Sequence, residues 1–355
     1  MRDKTRPDVL IAGGGVMGLS IALHLHRAGC AVTVVDRQQI GRGASWAAAG
    51  MLAPWAELLP SGSLQQLCQQ SLKIYANWAA DLEQQTGLPS GFWPCGILAL
   101  GSQHWLTAVE HPDADVYPVS DSALQELQSG LSLSKAVWLP QEGQVDPRLL
   151  MTALHQAAQQ AGIPLLEHTP VTWHMAGDQI LGLDSPQGRL TAQHYILAMG
   201  SWSGLLPQVS VYPRKGQMFA LADPDRSLHR VLYGDGVYIV PRQDGRIVVG
   251  ATVEDVGFVE GTAPEQIASL WQAAIDLYPP LASMPVIEQW WGFRPSTPDL
   301  SPILGSSPYS NLLIATGHDR NGILLAPITA HLIAKLLLQG QRDPLLESFS
   351  WRRFD

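Results

Sequence analysis

The stretch from Val9 to Asp36 constrains this chain more than any other. Val9-Leu10-Ile11-Ala12 is too uniformly apolar for a half-exposed strand and reads as a buried parallel strand. Gly13-Gly14-Gly15-Val16-Met17-Gly18 follows at once and fits G-x-G-x-x-G. A helical pattern over residues 19–28 comes next, with Gly29 where a helix-terminating glycine belongs. Ala31-Val32-Thr33-Val34-Val35 is a second buried strand, and it ends in Asp36. Asp36 stands 18 residues beyond Gly18, close to the roughly 20 expected of a ribose-binding acid. Gly13 permits a tight turn, Gly15 lets a pyrophosphate approach the backbone, and Gly18 lets the helix pack close to the strand. The helix N-terminus offers free N–H groups and a positive dipole end to phosphate. The unit predicts a dinucleotide site and does not choose between NAD and FAD.

The chain has 355 residues, about two domains at ~150 residues each. With 46% apolar and 15% charged residues, it lacks the composition that keeps a polymer disordered. A net charge of −9 argues against a nucleic-acid partner, which asks for a basic surface. Cys30, Cys68 and Cys95 have no C-x-x-C spacing, so no metal site and no disulfide framework is expected. The start is polar through Asp8, and the apolar stretch 323–334 is about half of a bilayer span. No transmembrane segment and a cytoplasmic location are therefore expected.

Helical spacing covers residues 64–86, closed by Gly87, and residues 92–100 read as a strand pair around Gly96. Residues 102–144 are mixed and loop-rich. Asp146-Pro147 supplies an N-cap and a first-turn proline for a helix running to Gly162. Hairpin-like strands follow at 171–175, 180–184 and 190–193, then buried strands at 195–198 and 312–316. The first of these buried strands runs into Met199-Gly200, and a helix over 328–338 closes the chain. Alternation over 211–286 suggests an antiparallel sheet. The fold class expected is α/β plus α+β. A Rossmann-type domain is assembled from 1–80, 145–205 and 300–355, with an antiparallel-sheet substrate domain from 81–144 and 206–299. The site should lie where they meet.

Gly41-Arg42-Gly43-Ala44-Ser45-Trp46-Ala47-Ala48-Ala49-Gly50-Met51-Leu52-Ala53-Pro54 is dense in small residues, which let a backbone lie against a flat ring or a diphosphate. Placed directly after the acid-ending strand, it resembles the flavin-contacting stretch of the D-amino-acid oxidase group of FAD-dependent oxidoreductases. Further strings carry the likeness: His168-Thr169-Pro170-Val171, Tyr238-Ile239-Val240-Pro241-Arg242, Val248-Val249-Gly250-Ala251-Thr252, Gly292-Phe293-Arg294-Pro295, and Gly317-His318-Asp319-Arg320-Asn321-Gly322-Ile323-Leu324. Within the group the chain is most similar to the glycine oxidases of thiamine biosynthesis.

The resemblance implies FAD, held by Val16, Met17, Asp36, Arg37, Ala44, Ser45, Ala49, Gly50, Met51 and Val171 together with the glycines of the fingerprint. Gly200 returns to the cofactor, and His318, Asp319, Arg320, Asn321, Gly322, Ile323 and Leu324 stand beside the flavin. It makes Arg294 the grip on a substrate carboxylate, Tyr238 a cover over the substrate and Arg320 a second polar contact. The implied reaction is hydride transfer from glycine or another small primary or secondary amine, with O2 reoxidising the flavin to give H2O2. The imine would serve thiamine biosynthesis through hand-over to a thiazole-forming enzyme, and a homo-oligomer is possible. Covalent FAD on a cysteine in the C-terminal half is excluded, because no cysteine follows Cys95; non-covalent FAD is expected. D-amino-acid oxidase, sarcosine oxidase, a quinone-linked dehydrogenase and a non-catalytic flavin-binding module remain alternatives. Three positions depart from the group. Asp36 stands where many members have Glu, and Gly236 and Val253, expected near the pocket, replace larger or more polar residues.

Overall fold

A computed structural model describes residues 6–101, 115–133, 135–341 and 343–354; residues 102–114 of the loop-rich stretch lie outside them. The central layer is a six-stranded sheet in the order Ile303–Ser306, Leu312–Thr316, His194–Leu197, Val9–Ala12, Val32–Val35, Leu165–Leu166. All neighbours run parallel except the first pair. The uniformly apolar strands are explained by burial on both faces. Val9 and Ile11 face four packed helices, Val16–Arg27, Ser63–Thr86, Pro147–Gln160 and Gly322–Gln339. Leu10 and Ala12 face a three-stranded antiparallel sheet, Thr172–Ala176, Gln179–Ser185 and Gly188–Leu190. The Asp146 side chain caps the helix Pro147–Gln160 by accepting from Arg148 N, and Gly87 ends Ser63–Thr86 in the left-handed conformation, as their spacing predicts.

A second, eight-stranded sheet takes the order Val286–Ser296, Tyr212–Ala222, Arg246–Gly250, Val237–Pro241, Val231–Gly234, Ile97–Leu100, Ala136–Leu139, Tyr117–Val119. One face packs on the helix Pro264–Leu277 through Phe219, Ile239 and Val249. The other presents Met218, Tyr238 and Val248 to Ala47 and Ala49 of the small-residue stretch. Strand alternation thus divides this sheet into a core face and a site face.

Two expectations are corrected. Residues 92–100 do not form a strand pair. Phe92–Trp93 joins Gly143–Val145 in a three-stranded sheet with Met51–Leu52, whereas Ile97–Leu100 enters the eight-stranded sheet. Gly96 marks a change of sheet: a Cβ there would lie 1.7 Å from the Trp138 ring. The closing helix begins at Gly322, not at residue 328, and carries Pro327 inside it. Proline there removes one backbone bond, and burial of Ile323, Leu324 and Leu325 ahead of it holds the helix together. By length and composition this helix could cross a membrane, although the sequence suggested half a span. It packs between Val16–Arg27 and Ser63–Thr86 as a core element.

Candidate active site

The chain leaves the C-terminal ends of Val9–Ala12 and Val32–Val35 into a long cavity of about 1380 Å³, open space at its mouth included. Gly13 has φ +108°, and a Cβ there would stand 2.2 Å from Ala198 O. A Cβ on Gly18 would stand 1.8 Å from Gly13 O. The glycines therefore do the turn and packing work that the motif predicts. The helix Val16–Arg27 opens at the cavity with Gly15 as N-cap and no acid in its first turn, so its positive end is left for an anion. Val16 N donates to Ser45 Oγ at 2.9 Å. Asp36 accepts from Gly14 N at 2.7 Å and Gln38 N at 2.9 Å. Burial pushes the Asp36 carboxyl above its usual range, against the pull of those two N–H groups and of Arg37.

At the far end the helix Gly322–Gln339 also points its N-terminus at the cavity, again without an acid in its first turn. His318 is buried there with Nε2 3.2 Å from Thr329 Oγ1. Burial holds its imidazole down to about 3, so it is neutral near pH 7. Arg37 lies 3.6 Å over the Trp202 ring, and Phe258 stacks on the same ring with centroids 4.9 Å apart. A long cleft with two helix N-termini, an acid at the ribose position and apolar walls suits FAD.

A second cavity of about 640 Å³ shares Ala44, Ala48, Asp319, Arg320 and Ile323 with the first. Arg294 enters it from the strand Val286–Ser296 and is tied by Nη1 to Thr252 O at 3.1 Å and Lys215 O at 3.3 Å. Its guanidinium lies on Gly216, where a Cβ would come 2.5 Å from both terminal nitrogens. Tyr238 is buried, and its hydroxyl lies 3.6 Å from Met218 Sδ. Burial raises its phenol above the ordinary value, while Arg294 and Arg320 pull the other way. Arg320 Nη2 is 3.3 Å from Glu57 Oε1 and donates to the Tyr233 hydroxyl at 3.2 Å.

Gly13, Gly15, Val16, Met17, Asp36, Arg37, Ala44, Ser45, Val171, Gly200, His318, Asp319, Arg320, Gly322 and Ile323 all line the long cavity. Ala49, Gly50, Met51, Tyr238, Arg294 and Arg320 line the second. Three expected cofactor residues line neither. Gly18 packs the helix on the turn, Asn321 is the N-cap of the last helix, and Leu324 is buried in the core. Gly236 and Val253 stand apart from the pocket; a Cβ on Gly236 meets nothing within 4 Å, and Val253 is exposed. Sequence reasoning missed Glu57, although it is the one charged residue between Arg42 and Lys73. It also missed what holds the small-residue stretch. Arg242 donates to Ala49 O at 2.6 Å, and Arg148 stacks 3.7 Å over Trp46 while bonded to Glu288. The described cysteines, Cys30, Cys68 and Cys95, line neither cavity.

The pattern of the FAD dependent oxidoreductase family matches residues 8–336. The bifunctional protein ThiO/ThiG of Nostoc sp. is 44% identical over 98% of this chain and 55% of its own length. The chain thus spans about half the length of such bifunctional relatives. The glycine oxidase of Bacillus licheniformis is 33% identical over 99% of this chain and 98% of its own. Among solved structures, the glycine oxidase from Geobacillus kaustophilus superposes with a TM-score of 0.90 at 31% identity, covering 98% of each chain.

Proposed function

The chain belongs to the FAD dependent oxidoreductase family, and on that premise we propose that it oxidises glycine and other small primary or secondary amines. The observation that carries the reading is the placement of Arg294: a guanidinium fixed by two backbone carbonyls faces a cavity that shares a wall with the dinucleotide cleft. A planar guanidinium grips a carboxylate through two parallel hydrogen bonds, which orients an amino acid as a lysine could not. Tyr238 lines the same cavity beside Arg294 as a neutral phenol. Ala47, Ala48 and Met51 leave room for a small substrate.

Bound FAD supplies the two-electron acceptor, and the chain supplies orientation and electrostatics. The fingerprint turn and the helix Val16–Arg27 would hold its diphosphate and Asp36 its ribose. The N-terminus of Gly322–Gln339 would favour negative charge at the ring end. Neutral His318 leaves that task to the helix N-terminus. An amine with its carboxylate on Arg294 loses a hydride from Cα and a proton from nitrogen to become an imine. O2 takes up the two electrons and two protons as H2O2. The imine hydrolyses or passes to a thiazole-forming enzyme, a role supported by the bifunctional relatives. Free thiols at Cys68 and Cys95 support work in a reducing, cytoplasmic compartment.

The test is a substrate panel on the FAD-loaded protein. Glycine should bleach the flavin without oxygen, and air should restore the colour with peroxide. Turnover of D-alanine or D-proline without glycine would replace this reading with a D-amino-acid oxidase. Recovery of colour only with a quinone would make the protein a dehydrogenase.

A further inference from the structure

Glu142 carries a buried carboxyl group that the reaction above does not use. The residue is 1% exposed, and two backbone N–H groups, not a cation, donate to its carboxyl oxygens. Oε1 accepts from Trp55 N and Oε2 from Ala56 N, across 87 and 86 positions of sequence. The neighbouring charge it feels is another carboxylate, Glu57, and burial with that repulsion raises its carboxyl to about 8. Burying such a group is costly, so its position calls for a reason.

The reason lies in the turn it holds. Residues 53–58 coil back on themselves, with Glu57 N on Ala53 O at 3.1 Å and Leu58 N on Trp55 O at 3.0 Å. The N–H groups of Trp55 and Ala56 open this coil and point one way, like the orphan donors at a helix start. Glu142 caps them from a distant part of the chain. Leu58 closes the turn at φ +49°, a conformation a leucine adopts at a cost. The residue directly after the two gripped N–H groups is Glu57, which pairs with Arg320 on the wall common to both cavities.

We infer that Glu142 is a positioning residue of the substrate cavity: by gripping Trp55 N and Ala56 N it sets Glu57 against Arg320. The kinetic consequence rests on the amine-oxidising reading; the positional one does not. Three FAD-loaded variants test it: Glu142→Gln, Glu57→Gln and the double variant. Two quantities are read in each: glycine-dependent flavin bleaching, and the dissociation constant of acetate from its perturbation of the flavin spectrum. Displacement of a positioned group by ~1 Å costs on the order of 100-fold. Glu142→Gln should therefore lose roughly 10- to 100-fold in both quantities while keeping FAD. The double variant should lose no more than Glu57→Gln alone, because Glu142 acts through Glu57. Losses that multiply overturn the inference, as does a Glu142→Gln protein that binds acetate like the wild type. If Glu142→Gln does not fold, Glu142→Asp keeps the carboxyl group but shortens the reach, and the same non-additivity is required of it. A wild type that glycine fails to bleach, but in which the acetate effects remain non-additive, would sink the proposed reaction and leave the positioning intact.

Discussion

The most discriminating perturbation is one methyl group, Gly216→Ala. Gly216 and Gly292 are direct partners across the two strands that carry the cavity wall. A Cβ on Gly216 would lie 2.5 Å from Nη1 and Nη2 of Arg294 and 2.7 Å from Cζ. Ordinary heavy-atom contact is ~3.5 Å, so the guanidinium must retreat by about 1 Å. It can do so, being the end of a flexible side chain, and Gly216 lies in an extended strand where alanine is welcome. The melting temperature should therefore stay nearly constant and FAD should stay bound. The bonds to Lys215 O and Thr252 O must loosen, and with them the aim of the guanidinium. Misplacement by ~1 Å costs about 100-fold, or roughly 2.8 kcal/mol at ~1.4 kcal/mol per decade. Steady-state kinetics on glycine should show this loss in kcat/KM, and acetate should bind more weakly. Gly292→Ala is the control. Its Cβ would meet Ala47 Cβ at 2.6 Å instead, so it should crowd the cavity while leaving the Arg294 bonds in place and acetate binding less affected. Unchanged glycine kinetics in a folded, yellow Gly216→Ala protein would refute the placement of the carboxylate on Arg294.

Other outcomes are expected. Arg294→Ala should lose ~2–5 kcal/mol, roughly 30- to 4,000-fold, in kcat/KM on glycine while keeping FAD, and Arg294→Lys should recover only part. An equal loss on an amine lacking a carboxylate would make Arg294 structural. Acid precipitation of the yellow protein should release its colour, since Cys30, Cys68 and Cys95 line neither cavity; colour retained in the pellet would mean a covalent link. His318 titrates at about 3 in the fold against 6.5 when unfolded. Between those values the unfolded chain binds a proton that the folded chain refuses, so stability is full above pH 6.5 and falls as pH drops towards 3. At pH 5 the loss is on the order of 2 kcal/mol, and denaturant titrations at pH 7 and pH 5 should show a smaller loss in His318→Gln. Equal losses in both proteins would contradict it.

What could be read from the sequence is what neighbours along the chain decide. The packing at Gly18 and the cap at Asp146 depend on residues within a few positions, so motif and structure coincide there. Partner choice is decided elsewhere. Gly96 has ordinary turn chemistry, and nothing local says that Phe92–Trp93 and Ile97–Leu100 leave for different sheets. Pro327 has a helix-starting character that hid the true start at Gly322, because burial of the residues before it outweighs one lost backbone bond. Arg294 was placed by family resemblance and not by pattern. Glu57 and Glu142 were missed because their partners lie far along the chain. Yet a physical signal was present. Only 15% of this chain is charged. Glu57 stands alone between Arg42 and Lys73, Glu142 between Lys135 and Asp146, and Arg294 between Glu288 and Asp299. A solitary charge in an apolar run is carried into the interior by its neighbours, and there it must find a partner or a ligand. In a charge-poor enzyme, isolated ionisable residues point to the site more directly than clusters, which water can solvate at the surface.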